Sequence, residues 1–181
     1  LGLPGAVQLQ NSGGGRADRL LYDGTAQGDM FAVASGTGVI ALNSQSPVTP
    51  TGVQDLVLNG LAGDDVNTAA ATLPFATTMA NGGDNTGNDL LTLTGAPGAV
   101  GVDLGNSSVT GYGGSVQYTG IEALATAQGG GGGSNLTVLG TGGPDNLDYT
   151  PAAGGTARRG RSPPSRRRTA ARSSRQGRLR R

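Results

Sequence analysis

Residues 24–31 read GTAQGDMF, a glycine-rich turn that ends in an aspartate and an apolar residue. Residues 140–147 read GTGGPDNL and share the same order: a Gly-Thr pair, then an aspartate, then an apolar residue two positions later. A looser relative, GGDNTGNDLL, occupies residues 82–91. The glycines that open these segments, Gly24, Gly82 and Gly140, are 58 residues apart. This constant spacing indicates an internal repeat.

A second pair of segments recurs in the same order. Residues 48–56 read VTPTGVQDL and residues 116–124 read VQYTGIEAL, both of the form V-x-x-T-G-[VI]-[QE]-x-L. We therefore predict a repeat region over residues 13–155, with units that start near residues 24, 82 and 140, the last of them incomplete. Residues 1–12 form the N-terminal edge of this region, and residues 156–181 form a separate tail.

The segments between the turns have the pattern of short β-strands. FAVAS, VIAL, LVL, LLTLT, VGVDL, SVQYT and LTVL are rich in β-branched residues or alternate between apolar and polar residues. Gly, Asn, Asp and Pro bound them, and each has about the usual strand length of five residues. We predict an all-β fold, a Gly-rich β-solenoid or β-roll-like stack in which each unit buries its apolar face on its neighbours. Antiparallel β-sandwich repeats are the alternative.

The composition limits both the core and the chemistry. The 181 residues include 35 Gly but only two Phe and no Trp, which predicts a thin core of Val, Leu, Ile and Ala. The chain has no Cys and no His, so disulfides, Cys/His metal sites, His general bases and Cys nucleophiles are excluded within it. Its apolar runs are much shorter than the ~20 residues that span a bilayer.

The turns resemble the hemolysin-type (RTX-like) repeats of secreted and surface proteins of bacteria, whose nonapeptide is G-G-x-G-x-D-x-U-x with U a large apolar residue. Residues 140–148, GTGGPDNLD, match this pattern except at Thr141. Residues 24–32, GTAQGDMFA, depart from it at Thr25 and Gln27, and residues 84–92 keep its later half. The resemblance covers about residues 13–155. It implies calcium binding between turns, although here the nonapeptides are 58 residues apart rather than consecutive.

Acidic side chains in these turns are the candidate calcium ligands, because Ca²⁺ takes six to eight oxygen ligands from carboxylates, carbonyls and water. The adjacent like charges in AGDDVN, residues 62–67, also favour a nearby cation. The candidates are Asp29, Asp64, Asp65, Asp84, Asp89 and Asp145. The alternative is that these aspartates only stabilise turns, because Asp side chains accept hydrogen bonds from the local backbone.

Catalytic residues are scarce in the repeat region. Hydrolysis of a polysaccharide needs two carboxylates at a defined separation. Asp55, Asp103 and Glu122 are candidates, but the repeat predicts solvent-facing positions for Asp55 and Glu122. Tyr112 and Tyr118 are the only close pair of aromatic residues that could stack on a sugar. We therefore predict that the chain is not an enzyme, with a polysaccharide-acting β-helix as the alternative.

The tail has the opposite charge from the rest of the chain. Residues 1–155 hold all 12 acidic residues and two arginines, whereas residues 156–181 hold 11 arginines and no acidic residue. A segment of this kind is predicted to be disordered and to bind nucleic-acid phosphates without sequence specificity. The alternative is a frame break in GC-rich DNA, because the composition changes where the third unit should supply a strand. The DNA sequence around codon 156 distinguishes the two.

Together these features predict a non-catalytic structural, adhesive or interaction segment of a larger secreted or cell-surface bacterial protein. Its turns would be supported by calcium, and its partners would be neighbouring repeats and a cell-surface or matrix component. No specific nucleic-acid partner is expected unless the tail is genuine.

Overall fold

The computed structural model describes residues 7–10, 18–84, 87–129 and 135–148. These residues form fourteen strands and no helix, so none of them belongs to a helix able to cross a membrane. The strands are β1 (Val7–Gln10), β2 (Arg19–Asp23), β3 (Met30–Val33), β4 (Ile40–Leu42), β5 (Val48–Thr51), β6 (Asp55–Asn59), β7 (Val66–Ala70), β8 (Thr77–Asn81), β9 (Leu90–Ala96), β10 (Val100–Asp103), β11 (Ser108–Tyr112), β12 (Gly114–Thr119), β13 (Ala123–Gln128) and β14 (Leu136–Leu139).

The strands form two mixed sheets of seven strands each. The first sheet has the order β1-β5-β4-β3-β7-β9-β13, and the second has the order β14-β10-β11-β12-β8-β6-β2. The prediction of an all-β fold is confirmed. The chain divides into the units Leu1–Asp145 and Asn146–Arg181. Only residues 146–148 of the second unit are described, and the predicted disordered tail, residues 156–181, lies outside the described residues.

Parallel pairing dominates the middle of both sheets. In the second sheet β2, β6, β8 and β12 lie side by side and run parallel. In the first sheet β3, β7, β9 and β13 do the same. The chain passes from the second sheet to the first between β2 and β3, β6 and β7, β8 and β9, and β12 and β13. Each of these four passages begins at a glycine: Gly24, Gly60, Gly82 and Gly120.

Antiparallel strands extend the two sheets at opposite ends. In the first sheet β4 pairs with β3 and β5 pairs with β4, and β1 then adds parallel to β5. In the second sheet β11 pairs with β12 and β10 pairs with β11, and β14 then adds parallel to β10. The predicted N-terminal edge, residues 1–12, thus contributes a paired strand to the first sheet.

The core lies on the inward faces of the strands, as their alternating burial shows. It is thin and mostly aliphatic, in agreement with the composition, and both phenylalanines belong to it. Tyr112 is fully buried, and its single O–H proton is shared between the carbonyl oxygens of Leu93 and Ala127, both 3.1 Å from the hydroxyl oxygen. This tyrosine connects β11 of the second sheet with β9 and β13 of the first.

The structure does not place the two V-x-x-T-G segments in equivalent positions. Gly52 follows β5 and leads from the first sheet to the second, whereas Gly120 follows β12 and leads from the second sheet to the first. Gly60, not Gly52, begins the passage that corresponds to Gly120. The two segments look alike because each is a strand followed by a glycine turn, and this local chemistry does not fix the sheet to which the strand belongs.

Candidate functional site

The four passages from the second sheet to the first share one chemical feature at their ends. An acidic residue stands directly before the first-sheet strand that follows: Asp29 before β3, Asp65 before β7, Asp89 before β9 and Glu122 before β13. Because these strands pair in parallel register, the four acidic side chains stack above one another. We call this set, Asp29, Asp65, Asp89 and Glu122, the acidic ladder.

Each carboxylate of the acidic ladder after Asp29 binds the main chain of the preceding rung. The N–H of Asp29 donates to Asp65 Oδ1 at 2.7 Å, and the N–H of Asp65 donates to Asp89 Oδ1 at 2.7 Å. The N–H of Asp89 donates to Glu122 Oε2, also at 2.7 Å. These are short, charge-assisted hydrogen bonds. They tie together turns that lie 36, 24 and 33 residues apart in the chain.

Asn43 ends the acidic ladder on the side of Asp29. Its side-chain amide donates to Asp29 Oδ1, and its own Oδ1 accepts the N–H of Met30 at 2.8 Å. Asn43 has φ of 50°, in the left-handed region that asparagine tolerates better than most residues. The side-chain amide of Asn43 thus donates to Asp29, whereas each later carboxylate of the ladder accepts the main-chain N–H of the preceding rung.

Glycine at the start of the three passages that end in aspartate, Gly24, Gly60 and Gly82, makes room for the inward carboxylate. A Cβ at Gly60 would overlap Asp65 Oδ2 and the carbonyl oxygen of Gly82. A Cβ at Gly82 would overlap Asp89 Oδ2 and the carbonyl oxygen of Gly120. The recurring glycine and the recurring acidic residue are therefore two halves of one packing arrangement.

The central carboxylates of the ladder are fully buried. Asp65 and Asp89 have 0% exposure, and their Oδ2 atoms have no hydrogen-bond partner among the residues described. Burial raises the pKa of both side chains above the ordinary value, because a charged carboxylate is poorly solvated there. The N–H bonds that they accept lower each pKa, and neighbouring carboxylates raise it further.

The predicted calcium ligands fall into two groups. Asp29, Asp65 and Asp89 belong to the acidic ladder, and the exposed Asp64 and Asp84 lie near it, since both contribute to the raised pKa of Asp89. Asp64 Oδ1 accepts the N–H of Asn88 at 2.9 Å. Hydrogen bonds of this kind are what the alternative predicts, in which the aspartates only stabilise turns.

Asp145, the sixth predicted ligand, lies in the separate turn that follows β14. Its carboxylate accepts the N–H of Thr141 at 3.0 Å and the hydroxyl of Thr141 at 2.8 Å. Asp29 binds Thr25 through the same two groups. The two turns that first indicated the repeat therefore share their internal hydrogen bonds.

No group of three or more acidic side chains suited to a metal ion forms within residues 7–10, 18–84, 87–129 and 135–148. One oxygen of each ladder aspartate is already held by a main-chain N–H or a side-chain amide. Calcium binding therefore stays a prediction that the turns by themselves do not establish.

Sequence reasoning missed the roles of one ladder residue, Glu122, and of Asn43, which ends the ladder. Glu122 is exposed, as expected, but its carboxylate also accepts the N–H of Asp89, which the sequence did not indicate. Its turn, from Gly120, is shorter than those that end in aspartate, and the longer glutamate side chain spans the remaining distance. Asn43 has no counterpart in the repeat pattern, so no signal pointed to it.

The residues considered for catalysis are dispersed. Asp55 lines a cleft of about 400 Å³ with Arg19 and Gln117. Asp103 instead accepts hydrogen bonds from the side chain and main chain of Asn106, which lower its pKa. Tyr112 is buried, so the expected pair with Tyr118 does not form a surface on which a sugar could stack.

Charge is unevenly distributed over the described part of the chain. Arg19 is its only basic residue, and it lies at the start of β2, whereas the acidic ladder lies beyond the strand's other end.

Comparison with known protein families, with curated proteins and with solved structures finds no match for this chain.

Proposed function

We propose that the chain is a non-catalytic, structural β-solenoid segment of a larger secreted or cell-surface bacterial protein. The observation that carries the proposal is the acidic ladder, in which Asp65, Asp89 and Glu122 each bind the main chain of the preceding rung. A stack held by such bonds adds one rung to the next and extends along a single axis, as repeat proteins do.

The parallel pairing of the central strands supports the same proposal. β2, β6, β8 and β12 continue in one register, so that Leu20, Leu56, Thr78 and Val116 lie in one row across the second sheet. This arrangement favours a solenoid over antiparallel sandwich repeats, whose neighbouring strands would alternate in direction. The extracellular location rests on the resemblance to hemolysin-type repeats.

A structural role also accounts for the use of the acidic residues. The ladder carboxylates after Asp29 accept hydrogen bonds from main-chain N–H groups. They are therefore poorly suited to donate a proton to a substrate or to accept one from it. The cleft that contains Asp55 includes one carboxylate, whereas hydrolysis of a glycosidic bond needs a pair. The chain would thus contribute length, stiffness and a surface for adhesion rather than turnover.

Calcium support of the turns is part of this proposal at the exposed Asp64 and Asp84. These carboxylates lie close enough to raise the pKa of Asp89, and both residues are exposed. A divalent cation there would offset the repulsion along the ladder. Thermal unfolding of the full chain with millimolar Ca²⁺, with Mg²⁺ as the control, tests it. An unchanged Tm in Ca²⁺ would remove calcium from the proposal.

The decisive experiment for the function measures turnover and binding together. The full chain is incubated with acidic and neutral polysaccharides, and new reducing ends and co-sedimentation are both measured. We expect no new reducing ends with any substrate. Turnover that disappears in Asp55→Asn would overturn the proposal in favour of a polysaccharide-acting enzyme. Binding to duplex DNA that weakens steeply with salt would favour the Arg-rich tail as the functional element.

A further inference from the structure

Both sheets have free edge strands among the described residues. In the second sheet β2 pairs only with β6 and β14 pairs only with β10. Following the pairings from β14 through β10, β11 and β12 to β2, two antiparallel steps cancel, so β14 and β2 run in the same direction. By the same reasoning β1 and β13, the edges of the first sheet, are also parallel.

Large exposed apolar side chains concentrate on these edge strands. Of the eight in the described residues, β14 carries Leu136, Val138 and Leu139, β1 carries Leu9 and β2 carries Leu21. All four residues of β14, LTVL, are exposed, and none is charged. Soluble proteins usually protect an edge strand with charges, proline or a bulge, because an open edge pairs with other chains. β14 has none of these.

The edge at β2 offers a matching surface. Leu20 and Tyr22 point inward on β2, in the rows that contain Leu56 and Leu58 of β6. Beside this edge lies a groove of about 230 Å³ whose lining includes Leu9, Leu20 and Val53. Gln10, Asp18 and Arg19 also line this groove. The free edge and the inward Leu20 and Tyr22 could accept a strand with two inward apolar residues.

We propose that β14 of one molecule pairs in parallel with β2 of a second copy of the chain and so continues the second sheet head to tail. The two turns with shared internal hydrogen bonds set the register, with Gly140 opposite Gly24 of the second copy. Leu136 then faces Leu20 and Val138 faces Tyr22, so all four side chains are inward. The contact is heterologous, so repeated addition gives linear assemblies rather than closed dimers.

The same register places Leu139 opposite Asp23 of the second copy. This pairing gives a test at one position, because a charge introduced at Leu139 has opposite effects according to its sign. Leu139→Asp would meet Asp23 as a like charge, whereas Leu139→Arg would meet it as an opposite charge. Leu139 is 56% exposed, so both changes are compatible with the fold of the single chain.

The experiment measures the mass of the full 181-residue chain by light scattering over a range of concentrations. We expect the mass to rise with concentration for the wild type and for Leu139→Arg. For Leu139→Asp the concentration at which association begins should increase at least tenfold, and Asp23→Arg added to that variant should restore association. Met30→Asp is the control, because Met30 is 64% exposed on β3, which is not an edge strand. Circular dichroism confirms that each variant is folded.

Three results would overturn the proposal. The first is a wild type that stays monomeric at every concentration. The second is equal weakening by both charges at Leu139, which would indicate pairing of β14 with β14. The third is association that disappears in 0.5 M salt for the wild type, which would indicate attraction between the Arg-rich tail and the acidic residues rather than strand pairing.

Discussion

Replacing Asp65 with alanine removes a central carboxylate of the acidic ladder. The buried N–H of Asp29 then loses its acceptor, and a hydrogen bond to a charged group contributes about 1.5–3 kcal/mol. Removing a buried charge offsets part of this loss, so we expect a net destabilisation of about 2 kcal/mol. For a domain of this size that lowers Tm by about 4–8 °C.

Asp65→Asn is the matched variant. Its amide oxygen still accepts the N–H of Asp29, while its amide nitrogen replaces the unpartnered Oδ2, which lies on the side of the Gly82 carbonyl oxygen. We therefore expect its free energy of unfolding to stay within about 1 kcal/mol of the wild type, because it keeps the bond and loses only the buried charge.

Urea unfolding followed by circular dichroism, together with thermal melting, measures both variants. The midpoint should decrease for Asp65→Ala with an unchanged m value, because the surface exposed on unfolding stays the same. If Asp65→Ala is as stable as the wild type, or if Asp65→Asn is as unstable as Asp65→Ala, the acidic ladder does not hold the rungs together.

Three further predictions concern the same ladder. Burial raises the pKa of Asp65 and Asp89, so at a given pH the folded protein keeps protons that the unfolded chain has released. The Tm should therefore rise as the pH falls from 7 towards the ordinary carboxyl pKa of 3.8. Melting curves of the Asp65→Asn/Asp89→Asn double variant should lack this rise, and an equal rise there would assign it to other groups. Gly60→Ala should prevent folding or lower the free energy of unfolding by more than about 3 kcal/mol, because its Cβ overlaps a carboxylate and a backbone carbonyl. Gly98→Ala is the control: its Cβ has open space around it, so urea unfolding should be unchanged. Asn43→Ala should lower stability by about 1–2 kcal/mol, measured by urea unfolding, because Asp29 Oδ1 loses the donor that Asn43 supplies. Asn43→Asp should lower stability at least as much, and wild-type stability in both variants would exclude a capping role.

Much of the fold could be predicted from local sequence. Alternating apolar residues bounded by Gly and Asp indicated short strands, and the near absence of aromatic residues indicated a thin core. The glycine-to-aspartate turns at Gly24 and Gly82 were also found, because the steric need for glycine and the inward carboxylate leave a regular trace in the sequence.

The parts that were missed depend on long-range pairing. The hairpin of β4 and β5 extends the first sheet, whereas that of β10 and β11 extends the second, although both follow a glycine turn. Strand propensity is the same in either sheet, so the sequence does not decide between them. The roles of Asn43 and Glu122 were hidden for the same reason: each binds a residue 14 or 33 positions away.

The direction of the acidic ladder bears on the order in which the chain can fold during synthesis. Every ladder carboxylate after Asp29 binds the N–H of an earlier rung, so the turn at Asp29 stays incomplete until Asp65, 36 residues later, has left the ribosome. At about 5–20 residues per second this interval lasts roughly 2–7 s. Each rung is thus completed by its successor, and the nascent chain acquires its stability from the N-terminus onward, one delayed step at a time.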